Sequence, residues 1–447
     1  MDIVICGCGE VGGHAAEVLA QQGHNITVID QKALRLRKIE DTLDVRTLTG
    51  NCADASVLIE AGASRADLLL AATSSDEVNL LSATIAKGVG VEKSIARVHH
   101  RAYFDQRGID YMHHLGIDQV ICPEYSAALE IARTLRNPGA LAIENFAQGR
   151  IEMQEFPVDP ASKAVGKSLI DLALPSGSRL AAITRSGQAF IPKATTIIEP
   201  EDTIILVGNS QVFQDTRKIF RSRKELSRKK IVIMGGVSMA VWLCRNLLDR
   251  NFSVRLFESD RARAEELAQK LDWVTVIQAD PTEIPVFEEE HLADADSFVS
   301  MVDDDEHNIL GCALAKSRGI PEVIAVVQRS NYIHLFEHVG INRAFSPRQT
   351  AVKEILNVID TSPLKWMASL AEGIIDVYRV LVSETSEVVG SPLKDVPLAP
   401  NWVVVALQRE DKVRVPSAMD VLESGDTVLV VGKHGMEKGL KKIFSGS

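Results

Sequence analysis

Apolar residues come in short bursts from the start of the chain, beginning with Ile3-Val4-Ile5 and Ile26-Thr27-Val28-Ile29 and continuing through residues 45–49, 68–72 and 94–98. Between the bursts, residues 11–22, 32–41 and 76–88 repeat their apolar positions with helical spacing, and a shorter helix follows Gly50-Asn51-Cys52-Ala53-Asp54. Bursts of about five apolar residues predict strands buried on both faces, and strands alternating with helices predict a parallel sheet covered by helices on each side. A last short strand reaching Cys122-Pro123 and a helix over residues 124–136 complete a Rossmann-like domain.

From Gly149 the pattern changes. Residues 151–157 alternate like a half-buried strand, and Gly166-Lys167-Ser168-Leu169 is expected to open a short helix. Residues 179–184 lead through Arg185-Ser186-Gly187 into a hairpin, and residues 203–207 precede a closing helix over 211–220. This is a small α+β module with antiparallel pairing. After a basic linker, residues 221–230, the pattern starts again: Ile231-Val232-Ile233-Met234-Gly235-Gly236 answers Ile3-Val4-Ile5-Cys6-Gly7-Cys8. Asp305-Glu306-His307-Asn308 answers Asp76-Glu77-Val78-Asn79, Pro347 answers Pro123, and Val389-Gly390-Ser391-Pro392-Leu393 answers Val165-Gly166-Lys167-Ser168-Leu169. The expected architecture is α/β, a tandem duplication of a doubly wound parallel-sheet domain and a small α+β domain, with boundaries at 1–137, 138–222, 229–360 and 361–447.

The chemistry concentrates in Gly7-Cys8-Gly9-Glu10-Val11-Gly12, directly after the first strand. Gly7 allows the tight turn, Gly9 lets a phosphate approach the backbone, and Gly12 lets the next helix pack closely on the sheet. That helix points its unpaired N–H groups at the phosphate. Asp30, at the end of the second strand, is placed to accept the ribose hydroxyls of an adenosine. Asn51 and Cys52 in the turn after the third strand, Thr73-Ser74 after the fourth and Arg97 on the fifth join the candidate binding set, with Arg97 assigned to phosphate and Thr73-Ser74 to the ribose side. The second half differs, with Val237 and Ala240 in place of Gly9 and Gly12, and Val326 in place of Arg97. A side chain at 237 crowds a pyrophosphate, so dinucleotide binding is expected in the first half, and residues 1–220 alone are expected to keep it. Glu258 keeps an acid at the ribose position, which suits a smaller adenosine ligand.

Net charge and cysteine usage narrow the reading further. A formal charge of −11 opposes nucleic acid as a partner. No apolar run approaches the ~18 residues of a membrane span, which points to a cytoplasmic protein. The six cysteines include no CxxC pair, so reduced thiols and no metal site are expected. His99-His100 and His113-His114 are read as adjacent residues facing opposite ways, and no catalytic constellation is assigned.

These residues together resemble the TrkA family of cytosolic regulatory subunits. The likeness rests on Gly7 to Gly12 with Asp30, the stretch Ala72-Thr73-Ser74-Ser75-Asp76-Glu77-Val78-Asn79, Ile95-Ala96-Arg97, Pro138-Gly139-Ala140, and the return of the pattern at Ile231. It implies two tandem RCK (regulator of potassium conductance) units, each an N-terminal Rossmann domain and a C-terminal RCK domain. It also implies NAD(H) and ATP or ADP as regulatory ligands, a ring-like dimeric or tetrameric homo-oligomer, and docking on a TrkH- or TrkG-type potassium-translocating subunit at the cytoplasmic face of the inner (plasma) membrane. The competing reading is an NAD-dependent dehydrogenase built on the first Rossmann domain. It is opposed by the small size of the modules that would have to supply a substrate cavity.

Overall fold

The computed structural model describes residues 1–104, 109–136, 151–220, 228–248, 251–329, 332–359, 362–371, 373–398, 401–410 and 412–445. Residues 221–227 of the expected linker and Pro138-Gly139-Ala140 lie outside the described residues, and the linker's last two residues, Lys229 and Lys230, belong instead to a strand over Lys229–Met234. The first domain runs β1 (Asp2–Cys6), α1 (Glu10–Gln21), β2 (Asn25–Asp30), α2 (Ala33–Glu40), β3 (Arg46–Thr49), α3 (Ala55–Glu60), β4 (Leu68–Ala71), α4 (Asp76–Val89), β5 (Lys93–Arg97), α5 (Arg101–Phe104), α6 (Tyr111–Leu115), β6 (Gln119–Ile121) and α7 (Pro123–Arg136). Its six parallel strands lie in the order β3-β2-β1-β4-β5-β6. Ile5 is paired with Val28 on one side and Leu70 on the other, all three fully buried, which is why this central stretch reads as continuously apolar. The order reverses between β2 and β4, and the glycine turn leaves β1 at that point, where open α/β sheets bind ligands.

The first small module consists of β7 (Ile151–Pro157), β8 (Ser178–Arg185), β9 (Gln188–Phe190), β10 (Thr203–Asn209) and α8 (Ser210–Phe220), with antiparallel sheet order β7-β10-β8-β9. Ser186 and Gly187 both take positive φ in the β8–β9 hairpin, as a tight two-residue turn requires. The short helix expected from Gly166 does not form. Gly166 sits at φ +81, and the chain continues through turns to an isolated bridge between Ser168 and Ile197.

The second half repeats the first: β11 (Lys229–Met234), α9 (Ser238–Asn246), β12 (Phe252–Glu258), α10 (Arg261–Lys270), β13 (Thr275–Gln278), α11 (Ile284–Glu289), β14 (Ser297–Ser300), α12 (Asp305–Ser317), β15 (Glu322–Val326), α13 (Ile333–His338), β16 (Arg343–Phe345) and α14 (Pro347–Ile359). Its sheet order, β13-β12-β11-β14-β15-β16, matches the first. The last module is β17 (Leu364–Leu370), β18 (Ile375–Leu381), β19 (Trp402–Arg409), β20 (Lys412–Arg414), β21 (Thr427–Lys433) and α15 (Glu437–Ser445). One buried device recurs in both modules: Arg185 grips Asp202 with two bonds of 2.8 Å, and Arg409 grips Asp426 in the same way. Both aspartates are 1% exposed, so each carboxylate depends on its arginine fork.

The chain sorts into two compact units that pair like with like. One holds Met1–Ala132 and Ser227–Asp360, the other Arg133–Leu226 and Thr361–Ser447. In the second, Met153, Ala182 and Val207 share a core with Val377, Val405 and Val431, and Arg179 donates to the carbonyls of Val404 and Pro416. In the first, α14 of the second half packs on α1, placing Ala351, Val352 and Ile355 in the first domain's core beside Val11, Ala15 and Leu19. In the other direction, Tyr125 on α7 meets Trp242 on α9 edge to face at 4.9 Å.

This exchange of helices corrects the expectation that residues 1–220 suffice for binding. Losing Val352 and Ile355 alone removes roughly 3–6 kcal/mol of burial, against a typical net domain stability of ~5–15 kcal/mol. Tests of the site therefore use the full chain.

The same interface holds a titrating group. Ser126 donates to Glu354, whose second oxygen is buried without a partner. Burial lifts the Glu354 carboxyl to about 6, with Glu130 and Glu124 adding to the rise and the Ser126 bond opposing it. A carboxyl raised on folding favours the native state below its ordinary value, and that contribution is lost as pH climbs through 6. Glu354→Gln should match the parent's stability at pH 4 and exceed it by up to about 2 kcal/mol at pH 8. Denaturant melts at the two pH values measure this, and equal differences at both would assign Glu354 no titrating role.

Candidate functional site

Gly7 sits at φ +98, and a Cβ there would lie 2.8 Å from the Ala72 carbonyl oxygen. A Cβ on Gly12 would lie 2.0 Å from the Gly7 oxygen. Both glycines are required by the protein's own packing. Gly9 is different: its backbone is extended (φ −85, ψ −162), and a Cβ there would meet nothing within 4 Å. Nothing inside the fold demands glycine at this position. Gly9 also N-caps α1 without any side-chain cap, so the first-turn amides of Glu10, Val11 and Gly12 have no capping side chain.

Asp30 closes the other side of the loop. Its carboxylate accepts the amides of Cys8 and Lys32, both at 2.7 Å, and the Arg35 guanidinium stands 3.8 Å away. The group is 7% exposed and still has unused lone pairs for a diol. The Cys8 thiol is held protonated, raised by burial and by the Asp30 charge, with Arg35 opposing.

On the far side of the switch point, Asn79 organises the strand ends. Its side chain accepts from the Thr73 amide and hydroxyl (2.7 Å each) and donates to the carbonyls of Thr73 and Arg97. Thr73 and Ser74 therefore sit at the sheet edge, with Ser74 exposed. The Arg97 side chain turns to Glu124, at 2.6 Å, and its Nε is buried without a partner. Asn51 is exposed and accepts the Ala53 amide in its own turn, whereas Cys52 is 4% exposed and its thiol faces the Ile29 carbonyl. The Cys52 side chain thus belongs to the core, beside Cys6, and not to a ligand surface.

The histidines are placed differently from the reading as strand neighbours. His99 and His100 follow β5, and both their amides donate to Asp76, which His99 also meets through Nδ1 at 2.8 Å. His113 and His114 lie on α6. Burial would raise the Asp76 carboxyl, but the bonds from His99 and His100 outweigh it and hold the group below its ordinary value. Among the described residues no cluster of His, Cys, Asp and Glu could hold a metal ion.

The TrkA-N domain family matches residues 3–123 and 231–347, and the TrkA-C domain family matches 153–221 and 377–445. A Trk system potassium uptake protein TrkA homolog of Archaeoglobus fulgidus is 35% identical over 444 residues, 99% of this chain and 100% of the relative. The chain belongs to the TrkA family. TrkA proteins are regulatory components of potassium uptake and not enzymes, which sets the dehydrogenase reading aside. Among solved structures, the GsuK channel bound to NAD superposes with TM-score 0.59 at 15% identity, covering 100% of this chain and 79% of that one. GsuK bound to ADP gives TM-score 0.52 at 12% identity, covering 80% and 69%. These likenesses establish the fold.

Within this TrkA-family chain the second glycine loop is built alike and filled differently. Glu258 accepts the amides of Gly236 (2.8 Å) and Asp260 (2.9 Å), reproducing the two bonds of Asp30 with a longer side chain. Arg263 donates to the Gly236 carbonyl at 2.8 Å, so a guanidinium already lies on the loop. Val237 caps α9, Ala240 is fully buried against the sheet, and Val326 is fully buried where the first half carries Arg97. Sequence reasoning missed three supporting residues: Arg35, Asn79 and Asp76. The signal for two of them was present, since Asn79 and Asp76 recur as Asn308 and Asp305 with the same backbone bonds.

Proposed function

We propose that this protein is the cytosolic, nucleotide-responsive regulatory subunit of a Trk-type potassium uptake system. In this reading the first glycine loop takes NAD(H), with ATP or ADP as alternative ligands of the same adenosine pocket. The observation that carries it is Gly9, a glycine the fold does not need, opening onto an uncapped helix end with the buried carboxylate of Asp30 bonded to the neighbouring Cys8 amide. That GsuK structures are described with NAD and with ADP supports the choice of ligands. Gly7, Cys8, Gly9, Glu10, Val11 and Gly12 present backbone to the phosphates, Asp30 takes the ribose, and Thr73, Ser74 and Asn51 border it. Arg97 contributes to phosphate on release from Glu124, and Glu258 marks the second, weaker adenosine position. The bound nucleotide favours one arrangement of the Rossmann pair, and a ring-like homo-oligomer passes the difference to a TrkH- or TrkG-type subunit at the cytoplasmic face of the membrane. Among the described residues no helix is long and apolar enough to cross a membrane. The deciding experiment is calorimetric titration of the full chain with NADH, NAD, ATP and ADP. Absence of heat with all four rejects the reading.

Arg97→Ala should weaken binding of the same nucleotides, because a guanidinium near a phosphate is a charge-assisted donor. Unchanged affinity would mean that the Glu124 ion pair is the whole of its role. Incubation with NADH and a panel of keto acids, aldehydes and imines should give no oxidation above background.

A further inference from the structure

A cationic group that the nucleotide reading has not used reaches the first glycine loop from the other half of the chain. Arg348 follows Pro347 at the start of α14, the helix whose Ala351, Val352 and Ile355 are locked into the first domain's core. Its Nη2 lies 2.6 Å from Oε1 of Glu10, the first residue of α1 and the neighbour of Gly9. The Arg348 side chain is 19% exposed, while Glu10 is 70% exposed. A guanidinium has five donors, yet this one meets a single carboxylate, and its Nε is buried without a partner. Such a group has donor capacity that the single carboxylate does not use.

The placement is specific to the first loop. Glu124, after Pro123, holds the repeat position of Arg348, but it is an acid and stays paired with Arg97 of its own half. At the second loop, Ser238 stands where Glu10 does. The base delivered across the halves therefore has no counterpart at the degenerate site. Without it, the Glu10 carboxylate would stand beside the loop amides and repel an incoming phosphate.

We propose that Arg348 is a phosphate-reading residue, lent by the second Rossmann domain to the first glycine loop, where it exchanges Glu10 for the outer phosphates of a nucleoside polyphosphate. The proposal rests on nucleotide binding at that loop. Because the Arg348 backbone is fixed on α14, and α14 belongs to the second domain by sequence and to the first by packing, the exchange pulls on the joint between them. More outer phosphates compete better with one carboxylate, so the effect grows with phosphate number.

The test is calorimetry on the full chain with AMP, ADP and ATP. Arg348→Gln should weaken ATP at least tenfold and AMP less than threefold. Glu10→Gln, at an exposed position that does not threaten folding, should tighten ATP several-fold and AMP by less than ATP, since it frees Arg348 for the outer phosphates and removes a repelling charge. Equal weakening of all three nucleotides by Arg348→Gln, or ATP affinity unchanged or reduced in Glu10→Gln, would reduce Arg348 to structural glue. If the parent takes AMP or NADH but not ATP, the phosphate-reading role is lost while the nucleotide site stands. If the parent takes no nucleotide, both fall.

Discussion

Asp30→Ala lowers adenosine-nucleotide affinity of the full chain by one to two orders of magnitude. Charge-assisted bonds to a diol are typically worth ~1.5–3 kcal/mol, and this carboxylate has a second task that increases the loss. It holds the amides of Cys8 and Lys32, so removing it frees the glycine loop at Cys8 and the β2–α2 turn at Lys32. Asp30→Glu separates the two contributions, because Glu258 makes the same pair of amide bonds in the second half. That variant should keep the parent's melting temperature and lose less affinity than alanine does. Calorimetry with NADH and ATP measures both, and an alanine variant that binds like the parent would move the site away from the first loop.

Much of this arrangement was legible in the sequence because its causes are local. Continuous apolar bursts specify strands buried on both faces, and the glycine spacing specifies a turn, a close approach and a tight helix contact; Gly7 and Gly12 perform those packing roles. The repeat made the second half readable from the first, down to the acid at Glu258. What escaped was set by contacts distant in sequence. Arg97 reads as a phosphate ligand on its strand, but its partner Glu124 follows a strand and two helices later. Cys52 follows the third strand like a ligand residue, yet the core takes its thiol because Cys6 and Ile29 lie beneath it. The exchange of α7 and α14 between halves leaves no mark in periodicity, since an apolar helix face does not say which sheet it will cover. Arg348 followed from that exchange and from nothing nearer in the chain.

Gly9→Val gives the cleanest test of which half binds. Valine is the residue the second half carries at this place, in Val237, so the substitution imports that half's own solution. The backbone at Gly9 is extended, where a β-branched residue is at ease, and a Cβ there would meet nothing within 4 Å. Stability should therefore be unchanged, within the ~0.5 kcal/mol usual for surface substitutions. Binding should not survive. The new side chain stands in front of the α1 amides, at the closest approach of a pyrophosphate, and dinucleotide affinity should fall at least tenfold, about 1.4 kcal/mol. The reverse change, Val237→Gly, should not create an equal site, because Arg263 still lies on the Gly236 carbonyl and Val326 still offers no cation. The parent should take one NAD(H) per chain, Val237→Gly still one tight site, and Gly9→Val none of comparable affinity. Two equal sites in the parent, or full affinity in Gly9→Val, would show that the open space before α1 is not where the phosphates go.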